Sequence, residues 1–166
     1  SMLVSLGIIE GKPDGSYGPT ENVDRAQMAK MLSVIMNKGV DNSALYQSVN
    51  SGLTDITSHW AKGHINYCYT TGIIAGRGTG TFDPSATVTA LEAAKMLLVA
   101  VGYDPAIEGF EGADWAINVS VRADEQGIFE GFTKDLSAPL NRDDAALLIY
   151  NALDVEMIQS YTTNNY

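Results

Sequence analysis

Two arginines occupy positions where a cation is normally unfavourable. Arg25 and Arg142 directly follow Asp24 and Asn141, which are typical helix N-caps, so each arginine starts a helix. The helix dipole disfavours a cation there by about 0.3–1 kcal/mol. Two explanations stay open: a salt bridge, or an external anion bound by the guanidinium together with the free amides of the helix start. The candidate salt-bridge partners are Glu21, Asp143 and Asp144.

Two further groups of residues could form a metal site or a phosphate-binding loop, but their patterns indicate a structural role. His64 and Cys68 have the i, i+4 spacing of two zinc ligands, but only His59 could add a further nitrogen ligand, so a buried thiol is the preferred interpretation. The glycines from Gly76 lack the Gly-Lys-Ser/Thr ending of a phosphate loop. We therefore predict no metal, no cofactor and no enzyme.

The connector "YDPAIEGFEGAD" carries four carboxylates, which are oxygen ligands suited to calcium. It lacks the alternating acidic spacing of an EF-hand loop, so a solvated acidic linker is the preferred interpretation. The four residues are Asp104, Glu108, Glu111 and Asp114.

A turn followed by a helix occurs three times and must position the arginines. The copies read "GIIEGKPDGSYGPTENVDRAQMAKML" from Gly7, "GIIAGRGTGTFDPSATVTALEAAKML" from Gly72 and "GIFEGFTKDLSAPLNRDDAALLI" from Gly127. In the second and third copies a further helix is predicted before the turn, ending at the left-handed Gly72 or Gly127. Each turn is rich in Gly, Pro, Asp and Ser, as loops are.

The helix after each turn begins with a capping signature. Asp24 and Thr89 are each followed three residues later by Gln27 and Glu92, which completes a capping box, and Asn141 with Asp144 approximates one. An apolar stripe follows each cap and is predicted to be core. The stripes are Ala29, Leu32, Ile35 and Met36; Ala94, Leu97, Leu98 and Val101; and Ala145, Leu148, Ile149 and Ala152.

Composition and charge limit the classes of partner that this chain can bind. The 166 residues are 45% hydrophobic, enough for one core shared by the three copies, and the net charge of -10 argues against nucleic acid. No apolar run approaches the length of a membrane span. The single cysteine excludes an internal disulfide, and we expect the Ser-Met start to be neither a signal peptide nor a natural beginning.

The segment "HWAKGHINYCYTTGIIAGRGTGTFDPSATVTALEAAKML" resembles the S-layer homology repeat, whose order is "HWA…GII.G…G.F.P…TRAE.A..L". Ala90 stands where the family favours Arg, and Asp114 where it favours His. The resemblance implies a mainly α fold, with three helix-loop-helix repeats in one pseudo-threefold domain around a central helical bundle. The boundaries are 1–40 for a repeat truncated at its start, 53–102, 113–154, and a C-terminal tail at 155–166.

The resemblance also implies a function. Such domains anchor exported proteins to the wall of Gram-positive-type bacteria by binding secondary cell-wall polysaccharide, usually pyruvylated, in grooves between repeats. The family's ligand-binding arginine corresponds to Arg25 and Arg142. Its tryptophan, which packs beside the groove or serves only as core, corresponds to Trp60 and Trp115. Asp55 matches an acidic position that accepts sugar hydroxyls or, preferably, caps a helix. The alternative is a protein–protein assembly module of an S-layer that has lost glycan binding.

Four expectations follow. The three repeats should unfold together, because no repeat buries its own stripe. The shortened first repeat should lead to self-association, or be covered by the C-terminal "LDVEMIQSY". Replacing Arg25 or Arg142 should change stability little. Trp60→Ala should cost about 3–5 kcal/mol if the ring is core.

Overall fold

A computed structural model describes residues 18 and 20–155. Seven helices lie within this part of the chain, without a strand, which confirms the mainly α prediction. They are α1 (Arg25–Met36), α2 (Ser43–Tyr46), α3 (Lys62–Thr70), α4 (Ala90–Ala100), α5 (Pro105–Glu108), α6 (Trp115–Glu125) and α7 (Arg142–Leu153). The longest of these have 12 residues, too short to cross a bilayer, which needs about 20.

Helices α1, α4 and α7 begin where the capping signatures predict. The side chains of Asp24, Thr89 and Asn141 each accept a hydrogen bond from the amide three residues later, and the first two complete their capping boxes. The stripes of α4 and α7 are buried, as are Ala29 and Leu32 of α1, while Ile35 and Met36 are half-buried against the same core. The predicted core faces are therefore confirmed.

Packing between helices joins neighbouring repeats. Helix α3 of the second repeat packs on α1 of the first, and α6 of the third packs on α4 of the second. Helix α4 also contacts both α1 and α7. Each repeat therefore buries its apolar face against its neighbour, as expected for units too small to fold alone.

A closed ring of backbone hydrogen bonds joins the segments that precede the three long helices. The Val23 amide donates to Leu140 O (2.9 Å), the Leu140 amide to Val88 O (2.7 Å), and the Val88 amide to Val23 O (3.1 Å). Every repeat thus contributes one donor and one acceptor. The pseudo-threefold arrangement of the whole domain stays a prediction.

Loops and connectors hold the helices at defined angles. Gly72 and Gly127 have φ of 82° and 74°, the left-handed conformation predicted for them. In the connector before α6, Asp104, Glu111 and Asp114 are exposed, as expected for a solvated linker. The connector is nevertheless folded, because Asp104 caps α5 and Glu108 pairs with Arg122 of α6 at 2.8 Å. The C-terminal stretch expected to cover the first repeat is residues 153–161; residues 156–161 of it, and the start of the chain, lie outside the described residues.

Candidate ligand-binding groove

The start of α1 has its amides already occupied. The Arg25 amide donates to Ala86 O and the Ala26 amide to Pro84 O, both at 2.9 Å. The Gln27 amide donates to the Asp24 carboxylate at 2.7 Å. The first two bonds bring the second repeat's loop onto the first repeat's helix. They also correct the expectation that free amides at this helix start help to bind an anion.

The Arg25 side chain reaches into the same loop. Its Nε donates to Phe82 O at 2.8 Å and its Nη2 to Ala75 O at 2.6 Å, while the guanidinium lies 4.5 Å from the centre of the Phe82 ring. Only 5% of the residue is exposed. Carbonyl oxygens, and not the carboxylate of Glu21, therefore explain how an arginine is tolerated at this helix end.

The environment of Arg25 lowers its basicity without discharging it. Burial is the main cause that lowers the pKa of Arg25, to about 10, and repulsion from Arg77 lowers it further against the opposing effect of Glu92. The guanidinium therefore remains charged at neutral pH. The repulsion shows that a second cation lies near the first.

A cavity of about 340 Å³ lies where the three repeats meet at Arg25. The second repeat contributes its loop and α4 to the lining, and the third repeat contributes the start of α6 with the segment that leads into it. Its lining comprises Arg25, Ile73, Ile74, Ala75, Gly76, Arg77, Glu92, Lys95, Met96, Phe110, Glu111, Gly112 and Trp115. The structure thus brings two of the predicted site residues, Arg25 and Trp115, into one groove.

The two predicted tryptophans lie in different surroundings. Trp115 is half-buried in the groove, with the Lys95 ammonium 5.7 Å from the centre of its ring. Trp60 is 60% exposed and lies beside His59, with 5.6 Å between ring centres. The core interpretation is therefore wrong for Trp60, and the stability loss expected for a core ring does not apply to it.

Asp55 holds the second repeat's loop in place. One carboxylate oxygen accepts from the Phe82 amide (2.9 Å) and the other from the Asp83 amide (2.7 Å). The preferred interpretation as a helix cap is therefore wrong. Desolvation alone would raise the pKa of Asp55, but the two amide donors outweigh it, and the pKa lies below its usual value.

The positions equivalent to Arg25 and Lys95 differ among the repeats. Arg25 corresponds to the fully buried Ala90 and to Arg142, which is half-buried and whose amide donates to Glu21 O at 2.9 Å. Lys95 corresponds to Lys30 and to Leu147. Ala90 therefore lacks the cation that Arg25 and Arg142 carry, and Leu147 lacks the cation that Lys30 and Lys95 carry.

His64 and Cys68 lie in the α1–α3 interface. The Ser33 hydroxyl is 2.6 Å from His64 Nδ1, and Asp41 lies 3.7 Å from its Nε2. The Cys68 thiol is fully buried and donates to Ala29 O at 3.3 Å, and burial raises its pKa. The buried-thiol interpretation is confirmed.

Sequence reasoning missed two residues of the groove, Arg77 and Lys95. A signal for Lys95 exists, because Lys-Met-Leu recurs at 30–32 and 95–97 in register with the caps. Arg77 has no counterpart of that kind and belongs to a glycine-rich loop that suggests only a turn.

Several known proteins that resemble this chain are bacterial surface proteins. The chain is 30% identical over 160 residues to a cell surface protein of Thermoanaerobacter kivui, covering 96% of the chain and 20% of that protein. It is 28% identical to the middle cell wall protein of Brevibacillus brevis (95% of the chain, 14% of that protein). It is 34% identical to an S-layer protein of Bacillus licheniformis (66% and 12%). The chain thus belongs among bacterial surface proteins and spans a fifth or less of these relatives.

The family model of the S-layer homology domain matches residues 1–29 and 52–94. The chain therefore carries S-layer homology repeats, which are binding modules, and its location is extracellular, at the cell wall or S-layer. The matched residues include Arg25, the second repeat's loop and the first half of α4.

Proposed function

We propose that this chain anchors the protein that contains it to the bacterial cell wall, without a covalent bond, by binding a pyruvylated secondary cell-wall polysaccharide. The observation that carries the proposal is the groove between repeats, where Arg25 and Trp115 line one cavity. A sugar needs an apolar surface for its ring face, and a ketal carboxylate needs a fixed cation.

The predicted site residues have separate roles in this proposal. Trp115 offers an aromatic face, and Arg25 shapes the groove and adds positive charge to its lining. Asp55 fixes the loop through the two amides it accepts. Arg142 and Trp60 stand at the equivalent positions of the third and second repeats, and we assign them to a second inter-repeat site.

Electrostatic attraction must be local in this protein. The whole chain carries a charge of -10, so its overall field repels an anionic polymer. At physiological ionic strength the screening length is about 8 Å, which limits the repulsion to nearby charges. Cations fixed inside a groove keep most of their effect under these conditions, because partly buried charges are screened less.

Sedimentation with purified Gram-positive cell wall tests the proposal. The chain should sediment with wall that retains its secondary polymer and stay in the supernatant once that polymer has been removed by mild acid. A bound fraction that is equal before and after removal would refute binding to the polymer.

A second candidate is assembly between S-layer subunits. It is favoured by Ile117 and Val121, which stand one turn apart on α6 and are 65% and 54% exposed. Ile117→Ser with Val121→Ser should abolish self-association under this alternative and leave polymer binding unchanged. Light scattering and wall sedimentation of the same variant separate the two functions.

A further inference from the structure

Two N–H groups of Arg25 already donate to backbone carbonyls, so other cations of the groove are better placed to contact a ligand. Its Nε and Nη2 each donate to a backbone carbonyl of the second repeat, and the residue is 5% exposed. The main role of a guanidinium held in this way is to join the first repeat to the second, and contact with a ligand is secondary.

Two other cations line the same cavity from the second repeat. The side chain of Arg77 is 37% exposed, and its ion pair with Asp83 is 3.5 Å long and exposed on both sides. Such a pair contributes little free energy, so a ligand anion can replace Asp83 at small cost. Lys95 is half-buried on α4 with its ammonium 5.7 Å from the centre of the Trp115 ring.

We propose that Arg77 and Lys95 are the residues that determine specificity for a carboxylated sugar in this groove, and that Arg25 positions the loop that carries Arg77. The inference rests on the proposed function. Trp115 holds the ring of the sugar, and the two flexible cations close on its carboxylate.

The arrangement of charges supports this assignment. Arg25 and Arg77 line the same cavity, so both cations can attract an anion that binds in it. The loop keeps Arg77 in place, because its amide donates to Thr81 O at 3.0 Å and Asp55 holds the two residues that follow Thr81. The local site is thus rigid in its backbone and adaptable in its two side chains.

Two carboxylates in the same lining restrict the ligand further. Glu92 accepts a hydrogen bond from the Thr89 amide in the capping box at 2.9 Å, and Glu111 is exposed. They repel a densely charged polyphosphate and can accept hydroxyl or amide N–H donors from a sugar. The groove therefore suits a sugar with one carboxylate and several hydrogen-bond donors.

Calorimetric titration tests the inference with a pair of probes: the methyl glycoside of N-acetylmannosamine bearing a pyruvyl ketal, and the same glycoside without the ketal. The wild-type chain should prefer the ketal form. Arg77→Gln and Lys95→Met should each weaken binding of the ketal form about tenfold, the factor that corresponds to 1.4 kcal/mol. Binding of the uncharged probe should not change.

Lys38→Gln is the matched control. It removes one positive charge just beyond the C-terminal end of α1, about 18 Å along the helix from Arg25. Its affinity for the ketal form should equal that of the wild type, and thermal melts should show all three variants folded.

The outcomes separate the inference from the function. A wild-type chain that shows no preference for the ketal form would refute the proposed function. If the wild type shows the preference and both variants keep it, the assignment of Arg77 and Lys95 is wrong. Equal losses for both probes would also overturn it, because the side chains would then act on folding or on the sugar ring.

Discussion

Replacing Arg25 by alanine should destabilise the domain, contrary to what its place at a helix N-terminus suggests. The substitution leaves Phe82 O and Ala75 O without their charged donor, in a joint between the first and second repeats. It also removes the guanidinium that lies 4.5 Å from the centre of the Phe82 ring. Phe82 is fully buried, so this contact belongs to the core and not to the surface.

The size of the effect follows from these contacts. A hydrogen bond with a charged partner contributes about 1.5–3 kcal/mol. The two bonds are not additive, because one side chain makes both and water can enter an open groove after its removal. Relief of the desolvation of the guanidinium offsets a further part. We expect a loss of about 3 kcal/mol, which lowers the melting temperature of a domain of this size by about 6–12 °C.

Thermal melts followed by circular dichroism measure this loss, with Arg77→Ala as the matched control. Arg77 is the same residue type in the same cavity but is exposed, so its removal should shift the midpoint by less than about 2 °C. If Arg25→Ala melts within that same margin of the wild type, its carbonyl contacts contribute nothing, and the view of Arg25 as a joint is refuted.

Three further predictions concern the joints between elements. Gly63→Ala places a Cβ against Ser43 O and should force α2 away from α3 at a net cost of about 1–2 kcal/mol, measurable in urea; an unchanged midpoint would mean that the backbone yields freely. An isolated fragment of residues 53–102 should show little helical signal, because α3 and α4 pack on other repeats, whereas a folded monomeric fragment would contradict a shared core. The pKa of Asp55 is lowered in the folded state, so its contribution to stability is complete above about pH 4 and is lost as the pH falls through the folded pKa. Asp55→Asn should reduce this acid-dependent loss of stability, by less than about 1 kcal/mol because the group is exposed. Identical profiles of stability against pH for the variant and the wild type would exclude this contribution.

Much of the fold could be predicted because its signals are local. Asp24 and Gln27 lie three residues apart, so their capping box is visible in the sequence. The same holds for the left-handed glycine that ends a helix and for apolar residues spaced by one turn. These signals depend on a few neighbouring residues, and the repetition of the pattern strengthens each of them.

The partners of Arg25 could not be predicted in this way. Its two carbonyl acceptors lie 50 and 57 residues further along the chain, and carbonyl groups carry no sequence signature. Trp60 and Trp115 illustrate the same limit, because they follow similar local motifs but differ in exposure. What surrounds each ring depends on how neighbouring repeats pack, which a motif within one repeat does not encode.

The first residue of α1 contributes both to a joint between repeats and to the lining of the groove. In the first repeat its amide and its side chain both donate to the second repeat's loop, so Arg25 fixes the joint and shapes the groove at once. In the second repeat the same position is Ala90, which is fully buried and lacks a long side chain for either role. A single substitution at this position therefore alters an inter-repeat contact and a groove together. We therefore expect the inter-repeat grooves to be inequivalent, because the repeats share a backbone ring, but two residues after it the first and third have Arg and the second has Ala.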